Sequence, residues 1–169
     1  DYFATDVDKS PFLHFWTLSI EEQFYVAFPL IFILLVRLGR RWVLGGFTAL
    51  MLLSLGAQFF WAARDPMHAY FGNEARAYQL LAGVVLALVM AWWPFRLSTR
   101  ASRVVAVGGL ATFLVLCFSW VPLSQAMRGV IGTLACVALI AGLMAAEDQP
   151  LGRILARRAP VYLGQISYS

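Results

Sequence analysis

Five long apolar runs, separated by short polar or charged connections, constrain this chain more than any other feature. They cover about Leu18–Val36, Trp42–Ala62, Ala77–Trp93, Val104–Val121 and Met127–Ala146. Each has roughly the 17–25 residues a helix needs to cross a bilayer. Within lipid every backbone N–H and C=O must be satisfied inside its own segment, and a membrane barrel would require alternating strands of about ten residues that the sequence does not contain. The expected fold is therefore all-α, a polytopic transmembrane helix bundle with about five spans. Composition agrees: 13% of the 169 residues are charged and 61% hydrophobic, against roughly 25% charged in soluble domains. The lipid bilayer is the first partner.

The net charge of +4 sets twelve arginines and one lysine against nine acidic residues, and the distribution of the basic residues argues for membrane topology and against nucleic acid. A nucleic-acid surface would gather them on one face or stripe. Here Arg37, Arg40 and Arg41 follow the first run, Arg96, Arg100 and Arg103 the third, and Arg153, Arg157 and Arg158 the fifth. The positive-inside bias assigns these nine to the cytoplasm. The N-terminal segment Asp1–Phe15, the Arg64–Arg76 loop and Pro122–Ala126 are then expected outside. Pro150–Leu163 is too charged to span and reads as either an interfacial amphipathic stretch or a solvated basic loop. Cys117 and Cys136 lie inside apolar runs without partners at metal-ligand spacing, so they read as small buried hydrophobes, with no metal site expected.

The run from His14 to Tyr25 sets a histidine, two hydroxyls, Glu21, Glu22, Gln23 and a phenol at the mouth of the first span. A carboxylate at bilayer depth costs roughly 2.5–3.5 kcal/mol on insertion scales, so polar groups there usually face a protein interior or a watery cavity. Ser19 and Glu22 also form a capping-box pattern. Capping accounts for Ser19 and one glutamate but not for His14, Glu21, Gln23 and Tyr25 together. At 100° per residue Leu18, Glu21, Glu22 and Tyr25 share a helix face.

The string His14-Phe15-Trp16-Thr17-Leu18-Ser19-Ile20-Glu21-Glu22-Gln23-Phe24-Tyr25, followed by Pro29, closely resembles the H-x-W-S-L-S-x-E-E-Q-F-Y signature of the acyltransferase-3 family. Thr17 stands in place of the more usual serine and keeps the hydroxyl. Two more segments are similar to the family in the expected order. Tyr70-Phe71 with Glu74 to Leu80 and Gly83 resembles its R-x-x-x-L-x-x-G helix start, and Leu163-Gly164 with Ile166 to Ser169 resembles its L-G-x-I-S-Y-S-L-Y segment. The resemblance implies that residues 1–169 are part of a single transmembrane domain, with N- and C-terminal helices lying beyond them. It further implies a multi-pass protein of the bacterial inner membrane. That protein would move an acyl group, commonly acetyl, from a coenzyme A thioester (acyl-CoA, acetyl-CoA in the first instance) to a hydroxyl of an envelope carbohydrate such as lipopolysaccharide or another polysaccharide.

Acyl transfer needs a base for the hydroxyl proton, stabilisation of the oxyanion, and an acceptor held close to the thioester. The resemblance implies a base histidine on a helix preceding Asp1. His14, Glu21 and Glu22 are the catalytic candidates in this chain, with the carboxylates orienting an imidazole or binding acceptor hydroxyls. His14 is itself a candidate base, or a structural residue of the interface beside Phe15 and Trp16. Ser19, Tyr25 and Arg76 are the substrate-binding candidates. Arg76 suits a diphosphate, a carboxylate or the two glutamates as an always-charged bidentate donor, and equally suits snorkelling at the interface. His68 and Tyr70 fall in the Arg64–Arg76 loop and read as loop residues. Two other classes are consistent with intramembrane carboxylates: a secondary transporter exporting a glycan or lipid-linked intermediate, and a structural subunit whose polar residues only anchor helices.

Overall fold

The computed structural model describes residues 15–93, 96–118, 122–145 and 150–168, with side chains described between residues 23 and 166 of these. Eight helices and no strand occur among the described residues: α1 Phe15–Val36, α2 Arg40–Arg64, α3 Pro66–Phe71, α4 Asn73–Trp92, α5 Thr99–Cys117, α6 Gln125–Met144, α7 Pro150–Leu155 and α8 Arg158–Tyr168. Four stretches are long and apolar enough to cross a membrane, Arg40–Arg64, Pro66–Trp92, Thr99–Cys117 and Gln125–Met144, and α1 adds an apolar stretch over Gln23–Val36. The expected all-α membrane bundle is thus the observed one. Leu30, Leu34, Leu53, Val104, Leu134 and Met144 are each more than 60% exposed, a surface that suits acyl chains or further helices and would be a liability in water.

Helix starts follow local chemistry. Asp65 caps α3, its Oδ1 accepting from the N–H groups of Met67 and His68 at 3.0 and 3.1 Å, with Pro66 in the first turn. Proline suits that turn because its missing N–H would have had no helical partner. Ser98 and Ser124 cap α5 and α6 in the same way. Between α1 and α2 the chain reverses through Gly39, whose φ of 104° favours a residue without Cβ. The expected loop from Arg64 to Arg76 is largely helical: Asp65-Pro66 starts a helical turn there, and α4 begins at Asn73, four residues before its apolar run. Pro150–Leu163 is also mostly helical, as α7 and the start of α8, with Ile154 and Leu155 exposed and Leu151 intermediate. Cys117 is exposed at the end of α5, contrary to the expectation of burial, while Cys136 is intermediate.

The chain forms two compact units, Asp1–Val85 and Leu86–Ser169, with the boundary inside α4. In the first unit, Phe24, Phe28 and Phe32 of α1 stack one turn apart, and Phe28 meets the fully buried Phe47 of α2 at 5.4 Å between ring centroids. Lipid is as apolar as phenylalanine, so such contacts act by packing and not by leaving water. In the second unit α5 and α6 pack backbone to backbone. The buried Ser102 hydroxyl donates to the carbonyl of Gly142.

Arg128, on the first turn of α6, donates to the carbonyls of Leu116 and Phe118 at the end of α5. Carbonyls in the last helical turn lack intrahelical partners, and a cation there also complements the dipole. Hydrogen bonds to charged groups contribute about 1.5–3 kcal/mol. Arg128→Met should therefore lower thermal stability in detergent by an amount in that range, and a melting curve equal to that of the unsubstituted protein would refute this role.

Candidate functional site

Gln23, Ser54, Asn73 and Glu74 come together where α1, α2 and the α3–α4 turn meet, inside the first unit. α1 carries Phe15 to Tyr25 of the His14–Tyr25 segment. Of that segment, His14 lies outside the described residues, and Ser19, Glu21 and Glu22 ride on α1 with side chains outside the description. Gln23 is the first whose side chain is described: its Oε1 accepts from Nδ2 of Asn73 at 2.5 Å. That contact joins the first recognised segment to the start of the second across fifty positions. Tyr25 is 61% exposed and edges onto Phe24.

Beneath this contact lies a cavity of about 520 Å³. Gln23, Asn73, Glu74 and Ser54 supply its polar groups, while Phe24, Phe28, Phe47, Leu50, Leu53 and Leu81 are among the apolar residues of its wall. The arrangement is an apolar slot with hydrogen-bonding groups gathered on part of its lining, as in sites that bind an apolar body and orient a polar end.

Arg76, one turn into α4, donates from Nη1 to the carbonyl of Tyr70 at 3.3 Å and lies 5.1 Å from the centre of the Tyr70 ring. It is tied to the α3–α4 turn, in the manner of a planar cation that stacks and donates at once. The structure also assembles a pair from the expected Arg64–Arg76 loop. His68 Nε2 lies 2.5 Å from Oε1 of Glu74, and the imidazole packs on Trp61 of α2 with centroids 4.2 Å apart. The two are six positions apart, too far for neighbours on one helix. They meet because α3 ends at Phe71 and the chain turns through Gly72 into α4. The signal available in sequence was Asp65-Pro66, a helix start placed so that His68 falls in its first turn.

Two side chains of α2 hold this turn from below. The hydroxyl of Ser54 donates to the carbonyl of Glu74 at 2.6 Å and accepts from the N–H of Tyr78 at 2.8 Å. The buried Gln58, with its amide nitrogen toward the turn, donates to the carbonyls of Ala69 at 3.2 Å and Ala75 at 2.7 Å. No group of three or more metal-ligating side chains occurs among the described residues.

Comparison with known proteins agrees with the segments quoted above. The model of an acyltransferase domain family matches residues 2–169. Among curated relatives, "Putative O-acetyltransferase SACOL0978" of Staphylococcus aureus (strain COL) is 37% identical over 130 residues, covering 68% of this chain and 21% of that protein. "O-acetyltransferase OatA" of Staphylococcus aureus (strain NCTC 8325 / PS 47) is 36% identical over 123 residues, covering 69% of this chain and 20% of that protein. The chain thus spans about a fifth of the length of the curated relatives it matches. No solved structure gives a significant match. The match along nearly the whole chain, together with the bundle and the quoted segments, shows that the chain belongs to the acyltransferase-3 family.

Proposed function

We propose that the protein is an O-acyltransferase that moves an acyl group, acetyl in the first instance, from an acyl-CoA thioester to a hydroxyl of a bacterial cell-envelope carbohydrate. The observation that carries this reading is the Gln23–Asn73 contact. It brings two segments that resemble the family together at the lining of one cavity, which Glu74 also lines, and Glu74 in turn meets His68. Relatives named as O-acetyltransferases support the reaction class. In this reading Glu21 and Glu22 accept hydrogen bonds from acceptor hydroxyls or orient an imidazole, His14 is a candidate base, and Ser19, Tyr25 and Arg76 contribute to binding. The polar end faces outward from the cytoplasmic membrane, with the arginine groups after α1, α4 and α6 inside, as the charge bias favours.

The carboxylates provide the test. Glu22→Gln and Glu21→Gln are nearly isosteric and remove a charge-assisted acceptor. In membranes containing the full-length protein, at least one should reduce label transferred from acetyl-CoA to glycan ester by about 100-fold, the scale of losing one precisely placed catalytic group. Unchanged transfer in both, at equal expression, would sink the assigned roles.

A further inference from the structure

The second unit gathers its charge at one end. Near the start of α5 the buried Ser102 donates to the carbonyl of Gly142, near the end of α6. The next residue on α6 is Leu143, whose Cδ2 a Cβ at Gly152 of α7 would meet at 3.9 Å, and α7 contacts both α5 and α8. The start of α5, the end of α6 and the α7–α8 turn therefore share one end of the unit. Arg96 precedes α5, Arg100 and Arg103 lie in its first turns one turn apart, Arg153 lies on α7, and Arg157 and Arg158 stand at the turn into α8. All six are exposed. Arg128, the remaining arginine of the unit, is engaged at the opposite end of α6. Against these six, the sequence from Leu86 to Ser169 has two acidic residues, Glu147 and Asp148, which lie outside the described residues, and the described residues of the unit include no carboxylate side chain. Membrane orientation explains why arginines fall on this side. It does not require that groups far apart in sequence be packed together through α5 and α7.

From this juxtaposition we infer that the arginines at the start of α5 and at the α7–α8 turn bind the phosphates of the acyl-CoA donor. The inference rests on the acyl-transfer reading. A guanidinium stays charged and meets a phosphate with two parallel N–H donors, so it suits this ligand better than a point charge does. The positive end of the α5 dipole lies at the same place and acts in the same direction. Coenzyme A carries a diphosphate and, apart from it, a 3′-phosphate. Two groups of arginines on separate elements fit a ligand with phosphate at two places, whereas one lipid headgroup phosphate would engage one group. The charge bias also sets this end in the cytoplasm, the side from which a coenzyme A thioester would come.

The test uses the full-length protein in nanodiscs of phosphatidylcholine, which carry no anionic lipid and leave both faces open, with radiolabelled coenzyme A as the probe. The paired substitutions Arg100→Gln with Arg103→Gln, and Arg157→Gln with Arg158→Gln, should each raise the Kd for coenzyme A by about tenfold or more, the scale of losing hydrogen bonds to a charged group. Lysine at the same positions keeps the charge but not the fork and should recover only part of the affinity. The unsubstituted protein should bind coenzyme A more tightly than dephospho-coenzyme A, which lacks the 3′-phosphate, and one of the two pairs should lose that preference. A merely structural role would not move this ratio. An unchanged Kd in both pairs overturns the inference and leaves the acyl-transfer reading intact. So do equal losses for the two ligands in both pairs, and so does a change confined to nanodiscs containing phosphatidylglycerol, which would mark a headgroup site. Should a pair fail to accumulate, Arg103→Gln and Arg157→Gln alone decide by the same Kd. An unsubstituted protein that neither binds coenzyme A nor transfers label from acetyl-CoA overturns both readings.

Discussion

Gly142→Val is expected to destabilise the folded protein by about 2–4 kcal/mol. A Cβ at Gly142 would stand 2.6 Å from the backbone nitrogen of Ala106 and 2.9 Å from its Cα, and one at Gly109 would stand 2.6 Å from the carbonyl oxygen of Ala135 and 2.7 Å from the nitrogen of Leu139. These obstacles are backbone atoms, which cannot swing aside as a side-chain tip can. Accommodating a side chain at either glycine therefore means separating α5 from α6 along their contact. In lipid that contact is held by close packing and hydrogen bonds. Separation also draws Ser102 away from the Gly142 carbonyl, deep in the unit where water cannot replace it. Overpacking alone costs about 1–3 kcal/mol, and the lost bond adds about 1 kcal/mol. Gly109→Val should behave alike. Gly108, adjacent on α5, has nothing within 4 Å of its would-be Cβ. Gly108→Ala should accordingly be neutral or raise stability by about 0.5–1 kcal/mol through the removed glycine penalty. Extraction yield and melting temperature in mild detergent separate the variants, and a Gly142→Val protein that melts like its parent would refute the packing account.

The spans were legible in the sequence because lipid imposes a length and an apolar composition on any helix that crosses it. α2 and α6 depart from the expected runs by only a few residues. The ends were less legible for a physical reason: the first helical turn has free N–H groups and tolerates polar residues, so Asn73, Glu74 and Arg76 belong to α4 although hydropathy assigns them to a loop. The candidate site divides along the same line. His14–Tyr25 and Arg76 stand out by motif, since their identities are informative at fixed spacing. His68 and Glu74 are six positions apart on different helices, and only the angle between α3 and α4 makes them a pair. Nor could composition show that Ser54 and Gln58, two polar residues one turn apart in an apolar run, face that same turn.

Gln58→Leu therefore bears on function as well as stability. The substitution keeps most of the volume of the side chain and removes the donor to the carbonyls of Ala69 and Ala75 in a buried setting. Losing a buried hydrogen bond costs about 0.5–1.5 kcal/mol, so the melting temperature should fall measurably, and Ser54→Ala, which removes a partner of the Glu74 carbonyl and of the Tyr78 N–H, should act in the same direction. The sharper expectation concerns coupling. Ala69 follows His68 and Ala75 follows Glu74, so Gln58 anchors the backbone beside each member of the pair. Since Glu74 lines the cavity and Gln58 holds the backbone next to it, Gln58→Leu should lower transfer about tenfold at a temperature where the variant is folded, the scale of a modest misplacement of a site residue. Unchanged transfer by the folded variant would mean that the clamp serves another part of the fold. A clamp that only stabilised the fold would change the melting curve and leave kcat untouched.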